Sequence, residues 1–285
     1  MIRTALHYHA PSDLEEAVRM AAQFPGAILV GGGTMVVPSM TRGETNSLNA
    51  IHLNRAGLRY ISTEPEMIRV GAMSTYSDLN RSEAIRSLGV LSTATSGITG
   101  GHQIRNQGTI GGSAAYANPS SDIPGCLVAL EASLVLNSSR GVRTVAAEQF
   151  YIGAFRTVAE PDEIVSEIRI PRQEIESSYY KFKLSESSWP VVTASCVLSR
   201  WPTCRLRIVV AAACAVPKVI DASELLVDGD SIDPVAAAEL LPALVDAALQ
   251  EGWSDVLATA QYRIDIAPVV ARRALQRLTR TGAEQ

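Results

Sequence analysis

Residues 103–122 read Gln103-Ile104-Arg105-Asn106-Gln107-Gly108-Thr109-Ile110-Gly111-Gly112-Ser113-Ala114-Ala115-Tyr116-Ala117-Asn118-Pro119-Ser120-Ser121-Asp122. Gly108, Gly111 and Gly112 leave backbone N–H groups unshielded, as an approach to a phosphate requires. Thr109, Ser113 and Ser120 add hydroxyl donors, and Asp122 beyond the Pro119 turn is an acceptor suited to sugar hydroxyls. A second stretch of the same character, Gly31-Gly32-Gly33-Thr34, follows the apolar run Ala27-Ile28-Leu29-Val30. Two such stretches on one chain suggest a ligand with two phosphates, such as a dinucleotide.

Composition narrows the partners. The chain has 285 residues, room for two or three compact units at about 100–200 residues each. A net charge of −4 and scattered Lys and Arg give no electrostatic footprint for nucleic acid. The N-terminus has no apolar core of a secretory signal, and the longest apolar run, Ile208–Val216, falls short of the roughly 18 residues that span a bilayer. A cytoplasmic location without a membrane span is therefore expected. The four cysteines, Cys126, Cys196, Cys204 and Cys214, form no CxxC pair, so neither zinc nor an iron–sulfur cluster is expected here. Cys126, Cys196 and Cys214 sit in apolar runs and read as core thiols. His7, His9 and His52 are too dispersed for a metal site, and Asp228-Gly229-Asp230 lacks further acidic ligands and reads as a turn.

Periodicity gives an α+β chain. Ser12 and Glu15 predict a capping box ahead of a helix with Leu14, Ala17, Val18 and Ala21 on its apolar face. Strands are expected at 27–30 and 49–53, a hairpin at 58–62 and 67–73, and helices at 77–87, 90–97 and 122–131. Strands at 133–136 and 142–145 flank a Ser-Ser-Arg-Gly turn. Beyond Glu160 four β-rich segments, 164–170, 179–184, 191–199 and 206–215, suggest one antiparallel sheet. Helical spacing follows at 222–226, 234–250 and 267–278. The boundary between the two regions is placed near 171–178.

The loop motifs exclude two common nucleotide sites. The third glycine of G-x-G-x-x-G would fall at Val36, and no G-x-x-x-x-G-K-[ST] occurs. Instead, Gly31–Pro38 and Gln103–Ser113 resemble the two FAD loops in the flavin subunit of the molybdenum hydroxylases, the family of carbon monoxide and xanthine dehydrogenases. Tyr8–Glu16, Glu163–Pro171 and Tyr180-Lys181-Phe182 resemble that family as well, so the likeness covers nearly the whole chain.

The resemblance implies a two-subdomain PCMH-type FAD-binding domain over 1–175 (subdomains about 1–55 and 56–175) and a small α+β C-terminal domain of the carbon monoxide dehydrogenase flavoprotein type over 176–285. It implies that Gly31, Gly32, Gly33, Thr34 and Met35, with Thr109, Ile110, Gly111, Gly112, Ser113 and Ala114, wrap the pyrophosphate and ribityl chain of a non-covalent FAD. Asp122 matches an acid that binds a flavin hydroxyl. Lys181 or Lys183 falls where the family has a basic residue near the flavin, and Trp189 aligns with an aromatic beside the isoalloxazine ring. From the residues alone, Trp189 before Pro190 reads equally as a packed strand-start residue. His102 and Arg105 read as residues that hold the second loop or meet a partner. Three departures stand out: Gly31 replaces a usual Ala, Met35 a usual polar residue, and Leu184-Ser185 a frequent Arg.

The function implied is that of the electron exit of a heterotrimer, in a dimer of heterotrimers. A large molybdenum subunit with molybdopterin oxidises the substrate, and a small subunit with 2Fe–2S clusters carries electrons to the FAD held here. No protein side chain is expected to be catalytic and no metal to be bound by this chain. Alternatives are a stand-alone flavin oxidoreductase of the same fold and a flavin-free structural subunit.

Overall fold

The computed structural model describes residues 5–45, 47–200, 203–227 and 231–283. The Asp228-Gly229-Asp230 turn expected from sequence lies outside the described residues.

The chain opens with three parallel strands ordered His7–His9, Asn49–His52, Ile28–Val30. Parallel neighbours need crossovers, and the helices Leu14–Gln23 and Val36–Arg42 supply them. The first helix starts one residue later than its sequence suggests. Asp13 is the N-cap, accepting from the Glu16 N–H, while the Ser12 hydroxyl donates to Glu16. The acid that reaches back is therefore Glu16 and not Glu15.

Next comes a five-stranded antiparallel sheet, ordered Ile61–Thr63, Met67–Gly71, Ile164–Pro171, Ser133–Ser138, Gly141–Ala146. The strand Ile164–Pro171 thus belongs here and not to the C-terminal sheet, because it inserts between the edges of two earlier hairpins. The C-terminal sheet has the order Ile175–Lys183, Pro190–Ser199, Arg205–Ala211, Lys218–Asp221. Its fourth strand, Lys218–Asp221, takes the place expected of 164–170. Only a short 3-10 turn, Ser223–Leu225, forms where a helix is expected at 222–226, and the last helix is longer than expected, Ala260–Ala283.

The C-terminal sheet is covered on both faces. One face meets the helix Asp122–Ala129, in which every residue is buried; the other meets the helices Pro234–Ala248 and Ala260–Ala283. Burial on both sides explains why 190–198 and 206–213 are almost continuously apolar and do not alternate. Gly125 lets the helix sit close: a Cβ there would lie 2.8 Å from the Ala211 methyl. Val197 and Val209 of the second sheet share one core with Ile110, Ile123 and Leu134 of the first region. All four cysteines are unpaired, with Cys126, Cys196 and Cys214 buried. Among the described residues no helix is long and apolar enough to cross a membrane.

Candidate functional site

The strand Ile28–Val30 ends at Gly31, and the chain turns through Gly31-Gly32-Gly33-Thr34-Met35 into the helix Val36–Arg42. Gly33 adopts a φ of +71°, open to glycine at little cost. Among the described residues no acceptor meets the N–H groups of Gly31, Gly32, Gly33, Thr34 or Met35. Five successive donors without partners are expected only where a ligand or water satisfies them.

The second stretch is not an open loop. It folds as two short helices, Gly101–Gln107 and Ile110–Tyr116, joined by Gly108 and Thr109. Its amides are mostly engaged: Ile110 N–H donates to the Ser74 carbonyl (3.0 Å), Gly111 to Ala72 (2.9 Å) and Ser113 to Thr109 (3.0 Å). The Thr109 hydroxyl accepts from Gly112 N–H at 3.2 Å and caps the second helix. The glycines serve close approach more than donation. A Cβ on Gly111 would lie 2.4 Å from the Ala72 methyl, and one on Gly32 only 1.8 Å from the Gln107 carbonyl oxygen. The two glycine stretches therefore touch each other directly.

Between them opens a crevice of about 660 Å³, within the usual range for cofactor sites. Gly31 to Met35, Thr109, Gly111, Gly112 and Ser113 line it, as do Asp122 and Trp189. Ile110 and Ala114 do not; both are fully buried in the core beneath. Lys181 is also absent from the lining. Its ammonium sits behind Asp122, 2.8 Å from Oδ1, and donates to the Gly97 carbonyl at 2.7 Å. Lys183 instead pairs with Glu186 at 2.9 Å.

Asp122 is buried, and Lys181 and the Tyr179 hydroxyl both take its Oδ1. Oδ2 has no partner among the described residues. Burial pushes the Asp122 carboxyl up, opposed by the Lys181 ammonium and the Tyr179 donor. Burial likewise pushes the Tyr76 phenol, which lines the crevice, up to about 12. Trp189 and Ser187 come from the turn before the strand Pro190–Ser199, and the Ser188 carbonyl accepts from the Thr99 hydroxyl at 3.1 Å. Leu184 is over half exposed, outside the lining. Arg105 donates to the Ile98 carbonyl at 3.2 Å and so braces the first of the two short helices; His102 is exposed.

Sequence reasoning missed Tyr76, Thr99, Ser121 and Ile164, which also line the crevice. Ser121 lies inside the stretch quoted first, so its proximity to Ser113 (Oγ to Oγ 2.9 Å) follows once the second helix is recognised. Tyr76 and Thr99 come from elements with no motif of their own, and Ile164 from Glu163–Pro171, whose likeness to the family does not single it out.

The sequence profile of the family described as FAD binding domain in molybdopterin dehydrogenase matches residues 4–173. The carbon monoxide dehydrogenase medium chain of Hydrogenophaga pseudoflava is 34% identical over 202 residues, 70% of each chain. The nicotine 6-hydroxylase medium subunit of Paenarthrobacter nicotinovorans is 26% identical over 278 residues, 95% of this chain and 96% of its own. A solved carbon monoxide dehydrogenase from Hydrogenophaga pseudoflava, which lacks the Mo-pyranopterin moiety of its cofactor, contains a chain of the same fold. It superposes with a TM-score of 0.87 at 31% identity, covering 97% of this chain and 98% of that one. The chain belongs to the family of FAD-binding domains of molybdopterin dehydrogenases. Its cofactor is FAD, and its class is that of oxidoreductase subunits.

Proposed function

We propose that this chain holds FAD non-covalently in the crevice between the two glycine stretches, as the electron-exit subunit of a molybdenum hydroxylase. The supporting observation is the run of five unpartnered N–H groups from Gly31 to Met35, facing a cavity of about 660 Å³. These donors suit the pyrophosphate, whose charge they can meet without a basic side chain. Thr109 and Ser113 would add hydroxyls from the second stretch. Asp122 Oδ2 would accept from a ribityl hydroxyl, while Lys181 and Tyr179 fix the carboxylate from behind. Met73, Tyr76, Ile164 and Trp189 would exclude water around the flavin.

Bound FAD would supply redox chemistry, collecting electrons from 2Fe–2S clusters of a small partner subunit and delivering them to an external acceptor. The chain's own contribution is binding, orientation and electrostatic tuning. We assign 1–175 to the FAD-binding domain and 176–285 to the C-terminal domain, and place the chain in a dimer of heterotrimers with a large molybdenum subunit. The unpaired thiols suit a reducing compartment, so the cytoplasm is the proposed location. The relatives' names run from carbon monoxide to nicotine, and in this reading the substrate is chosen on the large subunit.

Purification with spectroscopy and cofactor extraction tests the assignment. The expected result is a yellow chain that releases FAD on denaturation. A colourless chain that takes up no added FAD would favour the flavin-free structural reading.

A further inference from the structure

Among the described residues Arg263 is the largest side chain with no exposure at all. It stands in the first turn of the helix Ala260–Ala283, far in sequence from either glycine stretch. Burying a guanidinium is costly, and an apolar residue would fill the same space at lower cost. What the cation holds therefore matters. Nη1 donates to the Val191 carbonyl at 2.5 Å and to the Ala212 carbonyl at 2.9 Å, and Nη2 donates to Asp255 Oδ1 at 2.5 Å.

Two of the three partners lead toward the crevice. Val191 directly follows Trp189 and Pro190, which line one side. Asp255 accepts on its other oxygen from the Ser120 hydroxyl, at 3.1 Å, and Ser120 directly precedes Ser121 and Asp122 of another side. The Leu257 and Ala258 N–H groups also donate to Asp255 Oδ1 and fix the carboxylate. Burial pushes the Asp255 carboxyl up, but the Leu257 amide and the Arg263 guanidinium outweigh it and hold it below the usual range. Ala212 has a φ of +64°, a left-handed backbone rare for a residue with a side chain, and its carbonyl is one of those Arg263 takes.

We propose that Arg263 and Asp255 are positioning residues for the cofactor site. Acting through Val191 and Ser120, they set the spacing between the Trp189 wall and the Ser121–Asp122 wall. Neither touches the crevice. This inference rests on the reading of the crevice as the FAD site. It adds that the C-terminal segment 255–263 shapes that site, which no motif in the two glycine stretches reveals.

The test compares the full parent chain with Ser120→Ala and Asp255→Asn. FAD affinity is measured by titration of the apo chain, the environment of the bound flavin by visible circular dichroism, and apo stability by thermal melting. Ser120→Ala removes one hydrogen bond and leaves the Arg263–Asp255 pair intact. The expected result is an FAD dissociation constant raised about 2- to 10-fold, with an altered flavin dichroism and an apo melting temperature lowered by no more than the loss of one hydrogen bond accounts for. Asp255→Asn is expected to weaken FAD further, and where that variant fails to fold, Ser120→Ala decides alone. Unchanged affinity and dichroism in Ser120→Ala would overturn the inference. So would a loss of affinity that merely follows a fall in apo stability. A parent chain that takes up no FAD would instead overturn the crevice assignment, and this inference with it.

Discussion

Gly32→Ala should cripple FAD binding for a purely steric reason. Gly32 has an ordinary φ, so alanine meets no backbone strain there. Its Cβ would instead lie 1.8 Å from the Gln107 carbonyl oxygen and 2.6 Å from the carbonyl carbon. Ordinary contact begins at 3.4 Å, so the two stretches must part by 3.4 − 1.8 = 1.6 Å. Backbone cannot rotate aside as a side chain can. Overpacking of this kind costs about 1–3 kcal/mol of stability. A separation of that size also takes hydrogen-bond donors out of reach of the pyrophosphate. Losing two charge-assisted hydrogen bonds, each worth about 1.5–3 kcal/mol, removes about 3–6 kcal/mol of binding. That corresponds to a dissociation constant raised about 10²- to 10⁴-fold. The assay is titration of deflavinated chain with FAD, followed by flavin fluorescence. Gly31→Ala is the internal control: the one tight contact of its Cβ is the Thr109 hydroxyl at 2.9 Å, a side chain that can rotate at the cost of its cap on Gly112, so affinity should change by less than about tenfold. Parent-like affinity in Gly32→Ala, or an equal loss in both variants, would refute the reasoning.

Gly112→Val probes the ligand side, since a Cβ there meets nothing but the Thr109 hydroxyl at 2.8 Å. The apo chain should lose about 1 kcal/mol with the Thr109 cap, by chemical denaturation, yet purify without flavin. Lys181→Met strips the buried Asp122 of its cation and should cost about 3–5 kcal/mol of stability at neutral pH. That loss should shrink on acidification. Burial raises the folded-state pKa of Asp122, so the folded variant binds a proton before the unfolded chain does, and urea midpoints should converge with the parent's as pH falls. Asp78 behaves oppositely. Burial pushes its carboxyl up, but Arg59 and Thr75 outweigh this and hold it at about 2, below its ordinary 3.8. Its stabilisation is complete above pH 3.8 and vanishes as pH falls through 2. Asp78→Asn should therefore cost about 1 kcal/mol at neutral pH, after allowing for solvent screening, and nothing at the acid end of a pH-resolved melting series.

Much of the fold is legible in the residues because local signals agree with burial. The hairpin 133–146 and the helix from Asp122 follow from turn chemistry and apolar spacing, with Pro124 tolerated in the first turn. The assignment of 164–170 to the wrong sheet has a different origin. A buried strand reads the same whichever partners it takes, and its neighbours at Arg69 and Leu134 are set by long-range pairing. The glycine stretches mark the crevice in the sequence, yet composition predicts open amides in both, and in the second the structure has helix. The first stretch presents five successive free donors among the described residues; in the second most amides are engaged, and glycine marks where backbone meets backbone. Lys181 shows the same limit. A lysine that falls where the family has a basic residue near the flavin gives no sign of whether it faces a ligand or stands behind a carboxylate 59 residues away.

The direct contact between Gly32 and Gln107 has a consequence in time as well as in space. The first cradle is synthesised early, but its companion, the Trp189 turn and the Asp255–Arg263 brace emerge much later, the last of them only near the C-terminal helix. A nascent chain that has released residues 1–175 would thus hold both glycine stretches and the Ser121–Asp122 wall before the Trp189 wall and the brace exist. In the reading proposed above, a site with its walls at their native spacing is then a property of the finished polypeptide, complete only once the helix Ala260–Ala283 has docked.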